Sequence, residues 1–222
     1  LAVCPRDCIM IDGDGYSTDD VEDLGFASKP SSIQLRNLIL SRRSVRSFND
    51  MEVTDEEIDK IIEAARYAPT SWNRQDNAFL VVKDPGYREK LLNDTLAALE
   101  RLDGLLTEQM PEYAAIYRNI AAMYRETGYD RLFYKAPVVI YIFSEDEANG
   151  NIAAAHMNLM AETLQLGMCM ARLPVRAFLD EEFRREWCAP ENKTCVLALL
   201  LGNTDNQYFS SVPRKQPLVI KR

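Results

Sequence analysis

Two uninterrupted apolar runs constrain the fold of this chain more than any other feature. VVIYIF (138–143) and CVLALLLG (195–202) contain no charged residue and no polar alternation. A strand with this composition is buried on both faces, so other elements must cover the sheet on both sides. Because the remaining patterns are mostly helical, the sequence predicts a sheet covered by helices.

Capping and periodicity predict where several helices begin and end. Ser31 or Ser32 can cap a helix that runs to about residue 41, with an apolar face that includes Leu35 and Ile39. Thr54 and Glu57 form a capping box in front of a second helix, which Pro69 stops. The other predicted elements are a strand AFLVV, helices over most of 86–134 with a break at Pro111, a helix over 149–166 closed by Gly167, a short helix over 178–187, and an extended tail with Pro213 and Pro217.

Composition excludes some classes of function. The 222 residues are 47% hydrophobic and include 34 acidic and 26 basic side chains, for a net charge of -8. This suits one globular domain, and it argues against a nucleic-acid partner, which requires a broad cationic face. No apolar run reaches the ~20 residues of a membrane span, and no signal peptide is evident. Five cysteines without disulfide-like spacing suggest reduced thiols, so we expect a cytoplasmic protein that does not bind membranes.

A basic cluster stands out against this acidic background. SRRSVRSFND (41–50) places Arg42, Arg43 and Arg46 in five positions directly after the first helix. These cations could complement the carboxyl end of the helix dipole. They could instead bind a phosphate, with Ser44 as a further donor, because guanidinium groups match phosphate oxygens in a bidentate manner. We call residues 42–46 the arginine segment.

Two further stretches could complete a ligand site. PRK (213–215) places Arg214 and Lys215 in the extended tail, as an ordinary charged tail or as a second contact to the same phosphate. PTSWNRQ (69–75), the amide loop, carries Asn73 and Gln75 between a helix and a strand. Its amides could bond the loop's own backbone or the edge of a planar heterocycle.

Taken in chain order, these fragments resemble the nitroreductase family of FMN-dependent enzymes. The resemblance rests on RRSVRSF, ARYAPTSWNRQ, AFLVV, APVVIYI, AAAHMNLMAETLQLG, LALLLG and PRKQPL, and extends from about Ser31 to the carboxyl terminus. It implies an α+β fold: a three-layer α/β/α sandwich with a mixed central sheet, in an intertwined homodimer with FMN sites at the interface.

The resemblance also implies roles for individual residues. Arg42, Arg43 and Ser44 would bind the FMN phosphate and ribityl chain together with Arg214 and Lys215, and Arg46 would lie at the pyrimidine edge of the flavin. The amide loop would reach the flavin from the other subunit. Its family-matched positions are Pro69, Thr70, Ser71, Asn73 and Gln75. Leu173 would approach the flavin through its backbone, although GMCMARLPVR replaces the usual glycine-rich turn, and Asp76 and Asn77 replace a Pro and an aromatic residue.

The first residues suggest a different segment. LAVCPRDCIMIDGDG resembles the end of a 4Fe–4S ferredoxin, in which Cys4-Pro5 would close the ligand run. Residues 1–28 would then be a ferredoxin-like remnant with a linker and 29–222 the FMN-binding domain, and a cluster could form only in a longer parent chain. Cys169, Cys188 and Cys195 have no ligand spacing and are predicted to be buried thiols, so no metal site is expected here. His156 is predicted to be a core or interface residue.

The expected function is therefore an FMN-dependent oxidoreductase. NAD(P)H or a ferredoxin-type donor would reduce the flavin, which would pass electrons to a small planar acceptor such as a nitroaromatic or quinone. No catalytic side chain is required, because the cofactor carries the redox chemistry. The Tyr- and Met-rich helices near 105–134 could form a lid over the flavin, or they could simply pack in the core. Alternatives are an electron-transfer module serving an iron–sulfur domain, and a structural or sensing protein that leaves the site unused.

Overall fold

The structure is a computed structural model that describes Gly13, Val21 and residues 29–222. The chain forms two compact units, Leu1–Asn37 and Leu38–Arg222. The helices are α1 Ser32–Ser41, α2 Asp55–Arg66, α3 Pro85–Arg101, α4 Asp103–Gln109, α5 Pro111–Thr127, α6 Glu147–Thr163 and α7 Glu181–Glu186. The strands are β1 Ala78–Val82, β2 Val138–Ser144, β3 Gly167–Ala171 and β4 Thr194–Gly202.

The two apolar runs form the centre of the sheet, as predicted. The strand order is β1-β2-β4-β3, and each neighbouring pair is antiparallel. A bulge between Ile142 and Phe143 shifts the β2–β4 register. The sheet therefore departs from the expected mixed pattern: its strands pair only antiparallel, and the parallel component is an isolated bridge between Ser44 and Met168.

Helices cover both faces of the sheet, which confirms the three-layer α+β architecture. Side chains of β2 alternate between two cores: Tyr141 points into one, which α3, α4, α5 and α7 cover, and Ile140 into the other, which α2 and α6 cover. All residues of β2 are buried. The continuous apolar character of the run therefore follows from helices on both sides.

The predicted caps are present where the sequence placed them. The Ser31 hydroxyl accepts from the Gln34 amide at 3.2 Å, while the Gln34 side chain accepts from the Ser31 amide. Thr54 and Glu57 form the reciprocal capping box of α2. The break at Pro111 is also confirmed, since α5 begins there.

Three expectations about local structure were wrong. Gly167 does not close α6; Gln165 adopts the left-handed conformation after the helix, and Gly167 begins β3. The strand β3 itself was missed, because GMCMA was interpreted only as a changed family turn. Cys188 is exposed, whereas Cys169 and Cys195 are buried as predicted.

Other predictions concern parts of the chain that the structure describes only in part. Cys4, Cys8 and nearly all of the ferredoxin-like segment lie outside the described residues, so the 28/29 boundary stays a prediction. His156 is half-buried between helices, with Nδ1 3.3 Å from the Ala64 carbonyl oxygen. Among the described residues, no helix combines the length and apolar character needed to cross a bilayer, and no acidic, His and Cys side chains group as metal ligands.

Candidate functional site

The arginine segment lies along the free edge of β3. Ser44 forms the parallel bridge to Met168, and the Val45 amide donates to the Met168 carbonyl oxygen at 3.0 Å. Gly167 permits this approach, because a Cβ there would lie 2.8 Å from Val45 Cγ1. The pairing fixes the direction in which the segment runs and therefore where its side chains lie.

Arg43 is used by the fold itself. Its guanidinium donates to the carbonyl oxygens of Leu40, Ser41 and Arg42 at 2.6 to 3.1 Å, which are acceptors at the end of α1. It also donates to the Ser210 carbonyl oxygen at 2.5 Å. The interpretation of the cluster as a complement to the helix terminus is thus correct for this arginine.

Arg42 and Arg46 differ from Arg43. In the part of the chain that the structure describes, no carboxylate lies within 4.0 Å of any of the three arginines, and the Arg42 guanidinium makes no hydrogen bond. Arg42 is half-buried and the neighbouring Ser44 is exposed. A half-buried cation with no partner, beside a free hydroxyl, suits an anionic ligand.

Arg46 lies further along the same edge. Its guanidinium carbon is 5.8 Å from the centre of the Tyr134 ring, which supports it from one side. Burial raises the pKa of the Cys169 thiol, and the nearby Arg46 charge opposes that shift. Arg46 is therefore oriented by an aromatic face and lies near a buried thiol, while it stays exposed.

The carboxyl-terminal tail passes close to this region. Besides the Arg43–Ser210 hydrogen bond, the Tyr208 ring lies 5.3 Å from the Arg43 guanidinium carbon. Arg214 and Lys215 are exposed, and neither makes a hydrogen bond or ion pair with the residues that the structure describes. Arg214 follows Ser210 by four residues, a span of at most ~14 Å, so it is within reach of the arginine segment.

Leu173 lies just beyond the opposite end of β3. Its carbonyl oxygen accepts from the Tyr117 hydroxyl at 3.0 Å, and burial raises the pKa of Tyr117 well above its usual range. Tyr113 is exposed, 6.3 Å from Tyr117 between ring centres and 5.9 Å from the Arg176 guanidinium carbon. Tyr117 is therefore part of the core, which is one of the two expected roles, whereas Tyr113 is exposed and the lid role stays a prediction.

The amide loop has an unusual backbone. Trp72, Asn73 and Gln75 all have positive φ, at 58°, 53° and 50°, which is costly for residues with a side chain. The Gln75 amide donates to Thr70 Oγ1 at 2.9 Å. Trp72 is 92% exposed. The loop is thus held in one conformation by contacts at its base, while its tip projects away from the chain.

Asp76 anchors the loop from below. Its carboxylate accepts from Ser144 Oγ at 2.7 Å, the Glu145 amide at 2.8 Å and Asn149 Nδ2 at 2.9 Å. Burial by itself would raise the pKa of Asp76, but these hydrogen bonds together lower it to about 2. The carboxylate is therefore ionised at neutral pH although it is only 7% exposed.

The two predicted halves of the site are far apart within one chain. The arginine segment pairs with Met168, which lies beside Leu201 and, through it, Val138 at the start of β2. The amide loop is anchored at Ser144, at the end of β2. Six residue steps along a strand span about 20 Å. The structure brings Arg42, Arg43, Ser44 and Arg46 together, but it does not bring the amide loop to them.

Comparison with known proteins decides the family. A profile of the nitroreductase family matches residues 39–203, which include the arginine segment, the amide loop and all four strands. The chain belongs to the nitroreductase family.

Individual nitroreductase-family proteins show the same relationship. A nitroreductase with bound FMN from Desulfitobacterium hafniense superposes with a TM-score of 0.65 at 26% identity, over 84% of this chain and 97% of that one. Nitroreductase NfnB of Mycolicibacterium smegmatis is 28% identical over 195 residues, 76% of this chain and 82% of the relative. Iodotyrosine deiodinase 1 of Sus scrofa is 27% identical over 64% of this chain.

The extent of these similarities varies. For three curated relatives, the aligned part covers only 31%, 48% and 33% of the relative's own length. The family match begins at residue 39, so it does not include the residues that resemble a ferredoxin. The family assignment therefore applies to the domain that carries both halves of the site.

Sequence reasoning missed Ser144 and Asn149, which donate to Asp76, and Arg176, which lies beside Tyr113. Tyr113, Tyr117 and Tyr134 were predicted only as part of the Tyr- and Met-rich segment, without their individual contacts. Asp76 was noticed only as a departure from the family. An acidic residue two positions before an apolar strand was a usable signal, because a buried carboxylate must be surrounded by donors.

Proposed function

We propose that this protein is an FMN-dependent oxidoreductase of the nitroreductase type. The single observation that carries the proposal is the unpaired, half-buried Arg42 beside the exposed Ser44 at the edge of β3. In a chain with net charge -8, cations without a counter-ion suit a bound anion. The D. hafniense nitroreductase that superposes on this chain contains FMN.

The residues present fit the cofactor. Arg42 and Ser44 would hold the phosphate, and the tail that Arg43 anchors at Ser210 would add Arg214 and Lys215. Because Arg43 is occupied by four carbonyl oxygens, its part is to fix the segment and the tail. The phosphate role implied for the cluster therefore falls mainly on Arg42.

When bound, FMN would supply the redox chemistry. Arg46, resting on Tyr134, would hold a positive charge at the pyrimidine edge of the ring, where it favours negative charge. The Asn73 amide would bond the polar edge of the same ring. Pro69, Thr70, Ser71, Gln75 and the Leu173 backbone would complete the contacts by family resemblance.

A second copy of the chain would complete each site, in a homodimer. The amide loop lies about 20 Å along β2 from its own arginine segment, so the loop of another protomer would contact the flavin. Several large apolar side chains are exposed along α1 and the tail: Ile33, Leu35, Ile39, Leu40, Phe209, Leu218, Val219 and Ile220. Exposed apolar surface of this extent is typical of an interface.

The donor would be NAD(P)H and the acceptor a small planar molecule such as a nitroaromatic or quinone. The corner beside Leu173 supports a flat acceptor, because Tyr113 offers an exposed ring next to the Arg176 charge. The location would be reducing and cytoplasmic, which the free thiols of Cys169, Cys188 and Cys195 support. Residues 1–28 would form a separate segment.

The test is direct. The purified protein, incubated with FMN and freed of excess, should show flavin absorbance, and it should oxidise NADH or NADPH with menadione and with nitrofurazone. Flavin absorbance without turnover of either acceptor would favour an electron-transfer module. If the protein retained no flavin at all, both redox functions would be excluded.

A further inference from the structure

One side chain connects the two ends of the amide loop. Asn149, in the first turn of α6, accepts from the Ser71 amide through Oδ1 at 3.0 Å and donates through Nδ2 to Asp76 Oδ1 at 2.9 Å. It is 1% exposed. Because Ser71 precedes the left-handed residues and Asp76 follows them, Asn149 fixes the distance across the base of the loop.

Asp76 completes this connection with a buried charge. Its second carboxylate oxygen accepts from Ser144 Oγ and the Glu145 amide, and the Lys193 ammonium donates to its backbone carbonyl oxygen. Burying a carboxylate is costly unless donors surround it. Three donors from β2, the residue after it and α6 therefore converge on one point at the base of the loop.

The loop above this base could not hold its shape alone. Three residues with side chains occupy the left-handed region, where each costs of order 1 kcal/mol or more and persists only if its surroundings impose it. Trp72 at the tip is 92% exposed, so contacts within the chain do not fix it there. Within the loop, the Gln75 amide bonds Thr70 Oγ1, and Arg74 forms an exposed ion pair with Glu145. The buried contacts across its base come from Asn149 and Asp76.

We propose that Asp76 and Asn149 are positioning residues, which hold the amide loop in the conformation that presents Asn73 to the flavin ring of the partner subunit. This inference rests on the proposed function. The Asn73 side chain makes no hydrogen bond within the described part of the chain, so its amide is available to a ligand. A loop ordered before binding loses less conformational entropy when the ligand arrives, which strengthens binding.

The first measurement is flavin affinity, by quenching of flavin fluorescence. Asp76→Asn replaces one carboxylate oxygen by an amide NH2 group, which would face the donors that bond the carboxylate in wild type. Asn149→Ala removes the hydrogen bond to the Ser71 amide. Each should weaken FMN and riboflavin by the same factor, roughly tenfold, because the loop contacts only the ring. Asp180→Asn is the matched control: the Asp180 carboxylate likewise accepts several hydrogen bonds, as the cap of α7 and the partner of Arg101, but it lies outside this network.

The second measurement needs no cofactor. In a Trp187→Phe background, Trp72 is the only tryptophan, and its fluorescence anisotropy decay reports nanosecond motion at the loop tip. Asp76→Asn and Asn149→Ala should increase that motion in the apoprotein well below the unfolding temperature. Ser144→Ala removes a single donor and should give a smaller increase, which provides a folded variant if the others are unstable.

The outcomes separate the inference from the function. If wild-type protein binds FMN and the variants keep both its flavin affinities and its Trp72 motion, Asp76 and Asn149 are not positioning residues. If wild-type protein binds no flavin, the proposed function fails, and the positioning role fails with it even where the variants loosen Trp72. Weaker flavin binding together with a mobile Trp72 supports the proposal.

Discussion

The arginine segment and the amide loop satisfy their polar groups in opposite ways. Arg42 in the segment lacks a partner within the described residues, while the loop is held by hydrogen bonds that converge on Asp76 and Asn149. The difference indicates two modes of recognition. The segment presents an unpaired positive charge that a bound anion would neutralise. The loop presents a conformation that the fold holds before any ligand binds.

The largest expected effect tests whether the two regions of one site come from different chains. Arg42→Ala and Asn73→Ala homodimers should each bind FMN weakly. A mixed dimer of the two variants should contain one site with both substitutions and one with neither, so half of its sites should recover native affinity. Two affinity tags allow the mixed dimer to be isolated and its FMN content titrated.

Failure of this complementation would change the comparison. If mixed dimers bind no better than the parents, both regions act within one protomer or the loop does not touch the flavin. Sedimentation that shows a flavin-loaded monomer at low micromolar concentration would contradict the shared site in the same way.

The second prediction separates charge from shape. Losing a charge-assisted hydrogen bond of roughly 1.5 to 3 kcal/mol should weaken FMN about tenfold to a hundredfold in Arg42→Ala and in Lys215→Ala. Riboflavin, which lacks the phosphate, should be nearly unaffected, whereas Asn73→Ala should weaken both ligands. Isothermal titration with the two flavins measures this.

Arg43→Ala is the matched control for Arg42→Ala. Arg43 bonds four carbonyl oxygens, so its loss should mainly lower the unfolding temperature. The double variant Arg42→Ala/Lys215→Ala should be non-additive, because both cations would act on one dianion. Equal losses of FMN and riboflavin affinity in Arg42→Ala would mean that the arginine segment stabilises the fold and does not bind the phosphate.

The third prediction concerns pH. The pKa of Asp76 is lowered from 3.8 to about 2, so the stability that its carboxylate contributes is fully present above about pH 4 and is lost as pH falls toward 2. The shift corresponds to roughly 2 kcal/mol. Urea unfolding of wild type between pH 4 and 2 should show this loss, and Asp76→Asn should lack that part of the pH dependence. An identical pH dependence in wild type and Asp76→Asn would mean that the loss of stability comes from groups other than Asp76.

The smallest expected effect is on one hydrogen bond in the loop. Thr70→Val removes the acceptor of the Gln75 amide and should cost about 1 kcal/mol of stability, with a severalfold weaker affinity for riboflavin and FMN alike. Thr54→Val removes the cap of α2 and should cost a similar amount without changing flavin affinity. Equal flavin affinities in the two variants would show that the loop conformation is not needed for binding.

The sequence by itself determined the elements whose signals are local. The apolar runs of β2 and β4, the Thr54 capping box and the start of α5 at Pro111 were all predictable, because each depends on neighbouring residues. The arginine segment was equally visible, since clustered like charges in an acidic chain need an explanation.

Only the tertiary structure decided what each polar residue does. Arg43 donates to the end of α1 and to Ser210, Arg42 has no partner among the described residues, and Arg46 lies against Tyr134. Ser210 and Tyr134 lie far from the arginines in sequence, so these contacts leave no local pattern. Gly167 became part of a strand because it pairs with Gly202 of β4. Asp76, which looked like a departure from the family, became the anchor of the amide loop because Ser144 and Asn149 surround it, and contacts between residues about 70 positions apart leave no local pattern.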